Sequence, residues 1–138
     1  MKIYFAGSIR AGRQDIKKYA EIINYLKGYG QVLTEHVGKE NLDEVEKNMT
    51  DQHIYEQDMK WMKESDVLIA DITVASIGVG YEIAKGEDMG KKILCICKKP
   101  EEGKQISAMI AGDKNIKTEF YETFEDIKNI LDNFLKKV

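Results

Sequence analysis

Three stretches of the chain, residues 2–6, 67–72 and 92–97, are dense in apolar side chains and lack the polar alternation of a half-solvated strand. Strands of that kind are covered on both faces, which means a parallel sheet between two layers of helices. The stretches between them supply such helices. Residues 15–27 carry Ile16, Tyr19, Ala20, Ile23 and Leu26 at helical spacing, and Gly28 and Gly30 stop the pattern. Strands and helices alternate along the whole chain. The expected fold is therefore α/β: a five-stranded parallel sheet of flavodoxin-like or Rossmann-like type with helices on both faces. At 138 residues, one domain over 1–138 suffices.

The remaining elements are read in the same way. Residues 31–35 form a second strand, and residues 41–47 are a short helix or irregular loop. Thr50 or Asp51 caps a helix to about Ser65, with Ile54, Asp58, Trp61 and Met62 along one side. Residues 78–90 make a third substantial helix, 105–111 a short one and 117–121 the fifth strand. Thr123 caps a last helix with Phe124, Ile127, Ile130, Leu131, Phe134 and Leu135 on one stripe.

The net charge of −3 argues against general binding to a nucleic-acid backbone, which needs a cationic face, while leaving room for a local phosphate pocket. Cys95 and Cys97 point to one face of a strand and read as two small buried hydrophobes in a reducing cytosol. With only His36 and His53 besides, no zinc set is completed and no metal is expected. The first residues lack the apolar run of a signal peptide, and no stretch approaches membrane-spanning length, so the expected location is cytoplasmic with no membrane partner.

In a sheet of this kind a ligand sits beyond the C-terminal ends of the strands, where strand order reverses. Two loops should meet there. The first, Gly7-Ser8-Ile9-Arg10-Ala11-Gly12-Arg13, ends a strand and opens a helix. Its small residues let backbone N–H groups approach an anion, Ser8 adds a hydroxyl, and Arg10 and Arg13 suit phosphate oxygens; an ordinary glycine turn with solvated arginines is the alternative. The second, Ala75-Ser76-Ile77-Gly78-Val79-Gly80-Tyr81-Glu82, lacks the third glycine of a dinucleotide fingerprint, and no organic cofactor is expected. Ser76 either caps the helix or joins Ser8 on the anion, and Glu82 lies near that helix start. Asp58, on an apolar stripe, must be paired, protonated or functional, and burial would raise its pKa towards that of a general acid. Tyr4 either packs in the core or reaches one of these carboxylates, and His36 ends the second strand near the same crevice. Two carboxylates beside a phosphate loop suggest glycosidic chemistry.

Five motifs then occur in order: Tyr4-Phe5-Ala6-Gly7-Ser8-Ile9-Arg10, Leu33-Thr34-Glu35-His36-Val37, Glu56-Gln57-Asp58, Gly78-Val79-Gly80-Tyr81-Glu82 and Ser107-Ala108-Met109-Ile110. From Tyr4 to about Gly112 the chain resembles the 2′-deoxynucleoside 5′-phosphate N-hydrolases of the nucleoside 2-deoxyribosyltransferase superfamily. The last helix matches only in character, and Ala11 stands where a glycine is usual. The resemblance implies Glu82 as nucleophile on C1′, Asp58 as proton donor to the leaving base, and Tyr4 as the residue orienting Glu82. It implies a 5′-phosphate held by Gly7, Ser8, Ile9, Arg10 and Gly12 with Ser76, and a pocket lined by Tyr19 and His36. It also implies a homodimer in which Ser107 and Met109 reach the neighbouring site. A transferase exchanging bases on unphosphorylated deoxynucleosides, a ribonucleotide hydrolase of CMP type, and a non-enzymatic nucleotide sensor are the alternatives.

Overall fold

A computed structural model describes residues 1–9 and 15–138, the side chain of Asp43 excepted. Arg10, Ala11, Gly12 and Arg13 therefore lie outside the described residues. The chain runs β1 (Lys2–Ala6), α1 (Ile16–Leu26), β2 (Gln31–Val32), a 3-10 turn (Glu35–Gly38), α2 (Leu42–Glu46) and α3 (Asp51–Glu64). It continues through β3 (Val67–Asp71), α4 (Ile77–Asp88), β4 (Lys92–Lys98), α5 (Ala108–Ala111), β5 (Ile116–Tyr121) and α6 (Phe124–Leu135). All strand pairs are parallel, in the order β2-β1-β3-β4-β5. Strand order therefore reverses between β1 and β3, which creates the expected crevice beyond their ends.

The apolar runs do what their pattern requires. Every residue of β3 is buried, as are four of the five in β1. Ile3, Phe5, Val67, Ile69, Leu94 and Ile96 face one side, against Tyr19, Ile22, Ile23 and Leu26 of α1 and Ile127, Leu131 and Leu135 of α6. Tyr4, Ala6, Leu68, Ala70, Ile93 and Cys95 face the other, against Met62 of α3 and Val79 and Ile83 of α4. Cys95 and Cys97 are buried free thiols, and burial pushes the Cys95 thiol up to about 12. Among the described residues no helix is long and apolar enough to cross a membrane.

Helix ends follow local chemistry. The hydroxyls of Thr50, Ser76 and Thr123 each accept a backbone N–H of the first turn, and Thr123 with Asp126 completes a reciprocal capping pair. Two boundaries lie three residues from those the sequence suggests. The second strand stops at Val32 rather than Glu35, because the Thr34 side chain takes over the pairing. Its hydroxyl accepts the Phe5 N–H at 2.8 Å and donates to the Phe5 carbonyl at 2.7 Å, which frees the backbone to turn. The fifth helix begins only at Ala108, where the Ser107 hydroxyl accepts the Met109 N–H at 3.2 Å.

Gly7, just past β1, has no room for a side chain: a Cβ there would lie 2.9 Å from the ring of Tyr19, which is fully buried. Gly7→Ala is expected to cost about 1–3 kcal/mol of stability through overpacking. The measurement is a urea unfolding midpoint at unchanged m; an unmoved midpoint would mean that the ring can retreat freely.

Candidate active site

Tyr4 sits in mid-strand on β1 and is 1% exposed. Its hydroxyl donates to the Glu82 carboxylate across 2.7 Å, reaching from the sheet to the second turn of α4. That helix can sit close because Gly86 meets the sheet: a Cβ there would lie 2.8 Å from the Leu68 side chain. Burial pushes the Glu82 carboxyl up, the Tyr4 hydrogen bond opposes this by favouring the charged form, and the Asp58 charge adds to the rise, leaving it at about 7. Tyr4 itself is held far above the ordinary phenol range by burial and by the charges of Glu82 and Asp58, so it remains a donor.

Asp58 occupies α3, and burial followed by the neighbouring Glu46 carboxylate raises it to about 6. The stripe expected to bury Asp58 is split. Met59 and Met62 face the core, whereas Ile54, Asp58 and Trp61 are half-buried along a cavity of about 150 Å³. Glu46, Met49, Gln57 and His36 complete most of its lining, and the rings of His36 and Trp61 stand 5.3 Å apart. A carboxylic acid at the edge of a cavity with an aromatic wall can protonate a planar group bound there.

Glu46 was not evident as a site residue from sequence. It belongs to the stretch 41–47, whose short pattern leaves helix and loop equally open; only the fold brings α2 against Asp58. A carboxylate closing an otherwise weak helix pattern was the one available signal.

The other expected residues fall in three places. Gly7, Ser8 and Ile9 lie at the C-terminal end of β1, with Ser8 fully buried and its N–H donating to the Tyr19 hydroxyl at 3.1 Å. The Tyr19 ring is fully buried and packs edge-on against Phe5. Burial, chiefly, raises its phenol to about 12. Ser76 caps α4, accepting from Val79 N–H at 3.3 Å. Ser107 and Met109 lie on the crossover between β4 and β5, outside the cavity beside Asp58, and Met109 is 81% exposed. Arg10 and Gly12 fall outside the described residues.

Removing the Tyr4 hydroxyl should expose its role. Tyr4→Phe takes away a hydrogen bond to a charged acceptor, worth about 1.5–3 kcal/mol. The Glu82 carboxyl should rise further, and the acid limb of the kcat/KM profile should move to higher pH with about a 10- to 10²-fold lower maximum. A profile superimposable on that of the unsubstituted protein would deny Tyr4 that role.

The sequence profile of the nucleoside 2-deoxyribosyltransferase family matches residues 3–129. The chain belongs to this family. Within it, the chain is 42% identical to the 5-hydroxymethyl-dUMP N-hydrolase of Esox lucius, covering 99% of this chain and 97% of that one. It is 39% identical to the enzyme of the same name from Tetraodon nigroviridis, covering 97% and 96%. The fold resembles that of a CMP N-glycosidase from Clostridium botulinum, with a TM-score of 0.70 at 21% identity over 97% of this chain and 99% of that one.

Proposed function

We propose that this member of the family hydrolyses the N-glycosidic bond of 2′-deoxynucleoside 5′-monophosphates, releasing a free base and 2-deoxyribose 5-phosphate. The observation that carries the reading is the Tyr4–Glu82 hydrogen bond beside Asp58: one carboxylate is oriented by a buried phenol, and both carboxyl groups are raised so that the pair shares a proton near neutrality. The relatives named as deoxynucleotide hydrolases support the choice of substrate.

Glu82 attacks C1′ through its carboxylate and forms a glycosyl ester as the C–N bond breaks. The bond's electron pair leaves with the base, which takes the Asp58 proton. Asp58, now ionised, accepts a proton from the water that cleaves the ester, which returns both carboxyl groups to their starting states. The base lies towards His36 and Trp61, and the 5′-phosphate lies at the end of β1, held by Gly7, Ser8, Ile9, Arg10, Gly12 and Ser76. Tyr19 acts through its bond with the Ser8 N–H. No metal or organic cofactor enters these steps. Ser107 and the exposed Met109 reach the site of a second copy in a homodimer, which sedimentation of the protein tests. The free thiols of Cys95 and Cys97 suit a reducing, cytoplasmic compartment.

The deciding experiment presents purified protein with each dNMP, each NMP and each deoxynucleoside, and assays free base. Release from dNMPs is the expected result. Release from none, by protein that is folded, overturns the proposal; a new nucleoside formed on adding a second base would make the protein a transferase.

A further inference from the structure

The cavity beside Asp58 carries more polarity than protonation of a leaving base requires. Among the described residues that line it, His36 and Trp61 supply an aromatic wall, and Glu46, Gln57 and Asp58 supply hydrogen-bonding groups. At about 150 Å³ the cavity has room for one six-membered ring, since an engineered apolar cavity of about that volume holds benzene.

Glu46 and Asp58 come from different elements, the last residue of α2 and the middle of α3. Burial first and the Glu46 charge second raise the Asp58 carboxyl to about 6, so the two groups act on one another across the cavity lining. They offer opposite chemistry to a bound ring. Asp58, holding a proton, donates, whereas the Glu46 carboxylate only accepts. Glu46 is half-buried, so a hydrogen bond to it competes less with water than one at the open surface.

A pyrimidine base leaving C1′ presents its groups in a fixed order around the ring: the glycosidic N1, the C2 carbonyl, then N3. The C2 carbonyl, beside the breaking bond, is an acceptor matched to the Asp58 proton. N3 is its neighbour, as Glu46 is the neighbour of Asp58. In a uracil-type base N3 carries a hydrogen and suits a carboxylate. In a cytosine-type base N3 presents a lone pair, and two acceptors would meet with no proton between them. The two rings are otherwise nearly equal in shape, so packing against Trp61 does not separate them.

We propose that Glu46 is a specificity-determining residue: its carboxylate accepts the N3–H of a uracil-type base and turns away a cytosine-type base of equal size. The inference rests on the proposed function for the placing of the base, towards His36 and Trp61.

The test compares kcat/KM for dUMP and dCMP in the unsubstituted protein, Glu46→Gln and Glu46→Ala. The unsubstituted protein is expected to favour dUMP by at least about tenfold, the scale of one hydrogen bond to a charged acceptor. Glu46→Gln keeps the size and can turn its amide to donate. Its preference should fall to within about threefold, by loss on dUMP and gain on dCMP. Glu46→Ala should lose the preference by loss on dUMP alone. Removing the Glu46 charge also lets the Asp58 carboxyl fall, but that acts on both substrates alike and leaves their ratio unchanged. An unsubstituted protein with no preference for dUMP, or equal losses on both substrates in Glu46→Gln, overturns the proposal.

Binding separates this inference from the proposed reaction. Trp61 is the chain's single tryptophan, and its fluorescence reads occupancy of the cavity. Should no nucleotide release its base, the hydrolase reading fails alone. Quenching by dUMP at about tenfold lower concentration than by dCMP, with the difference lost in Glu46→Gln, still supports the specificity role. Equal quenching by the two nucleotides, or none by either, overturns it.

Discussion

Glu82→Ala is expected to lower kcat/KM for dNMP hydrolysis by at least about 10⁴-fold, the scale on which loss of a covalent nucleophile is felt. The fold should be unharmed. Glu82 is half-buried and accepts the Tyr4 hydroxyl, so its removal leaves that hydroxyl to be satisfied by water in the crevice. Initial rates of base release, beside a thermal melt of the variant, read both quantities. With a slow substrate, the intact enzyme should gain the mass of a 2-deoxyribose 5-phosphate residue on the peptide holding Glu82. A loss smaller than tenfold would remove Glu82 from the covalent role.

Asp58→Asn is expected to cost about 10²-fold or more, because the leaving base loses its proton source. The change should also appear in the shape of the pH profile. Turnover requires Glu82 ionised and Asp58 protonated. With the two carboxyl groups raised to about 7 and about 6, activity should form a narrow bell in that region. It falls on the acid side as Glu82 takes up a proton and on the alkaline side as Asp58 loses one, although the two midpoints belong to the coupled pair. Asparagine cannot ionise, so the alkaline limb should disappear. The acid limb should stay or move slightly to higher pH, because on that limb Asp58 is already neutral and only its competing ionisation is lost. An alkaline limb that persists in Asp58→Asn would assign it to another group.

What the sequence made legible were the features written in local pattern. Unalternating apolar runs gave β1, β3 and β4, and the capping residues Thr50 and Thr123 gave helix starts, because both depend on neighbours along the chain. Glu82 and Asp58 could be singled out by their placement at a helix start and on an apolar stripe. The partners of these carboxylates could not be assigned from pattern alone. The Tyr4–Glu82 bond spans 78 residues of sequence, and its existence depends on how closely α4 lies on the sheet. Glu46 meets Asp58 only through the folding of α2. Lys18 and Asp71, far apart in sequence, come within 3.2 Å of one another only through the fold. The end of β2 was misplaced for the same reason: it is decided by a side chain of Thr34 reaching across to Phe5.

That last contact bears on how copies of the protein can associate. A sheet margin with a row of free amides and carbonyls invites a strand from another molecule. Here the margin strand is two residues long, and Phe5, the next place where a foreign strand could dock, has both its backbone groups occupied by one hydroxyl. That hydroxyl closes this stretch of the sheet margin to β-addition. Substituting Thr34 by valine, similar in shape but unable to hydrogen-bond, would reopen it at the cost of two unsatisfied groups.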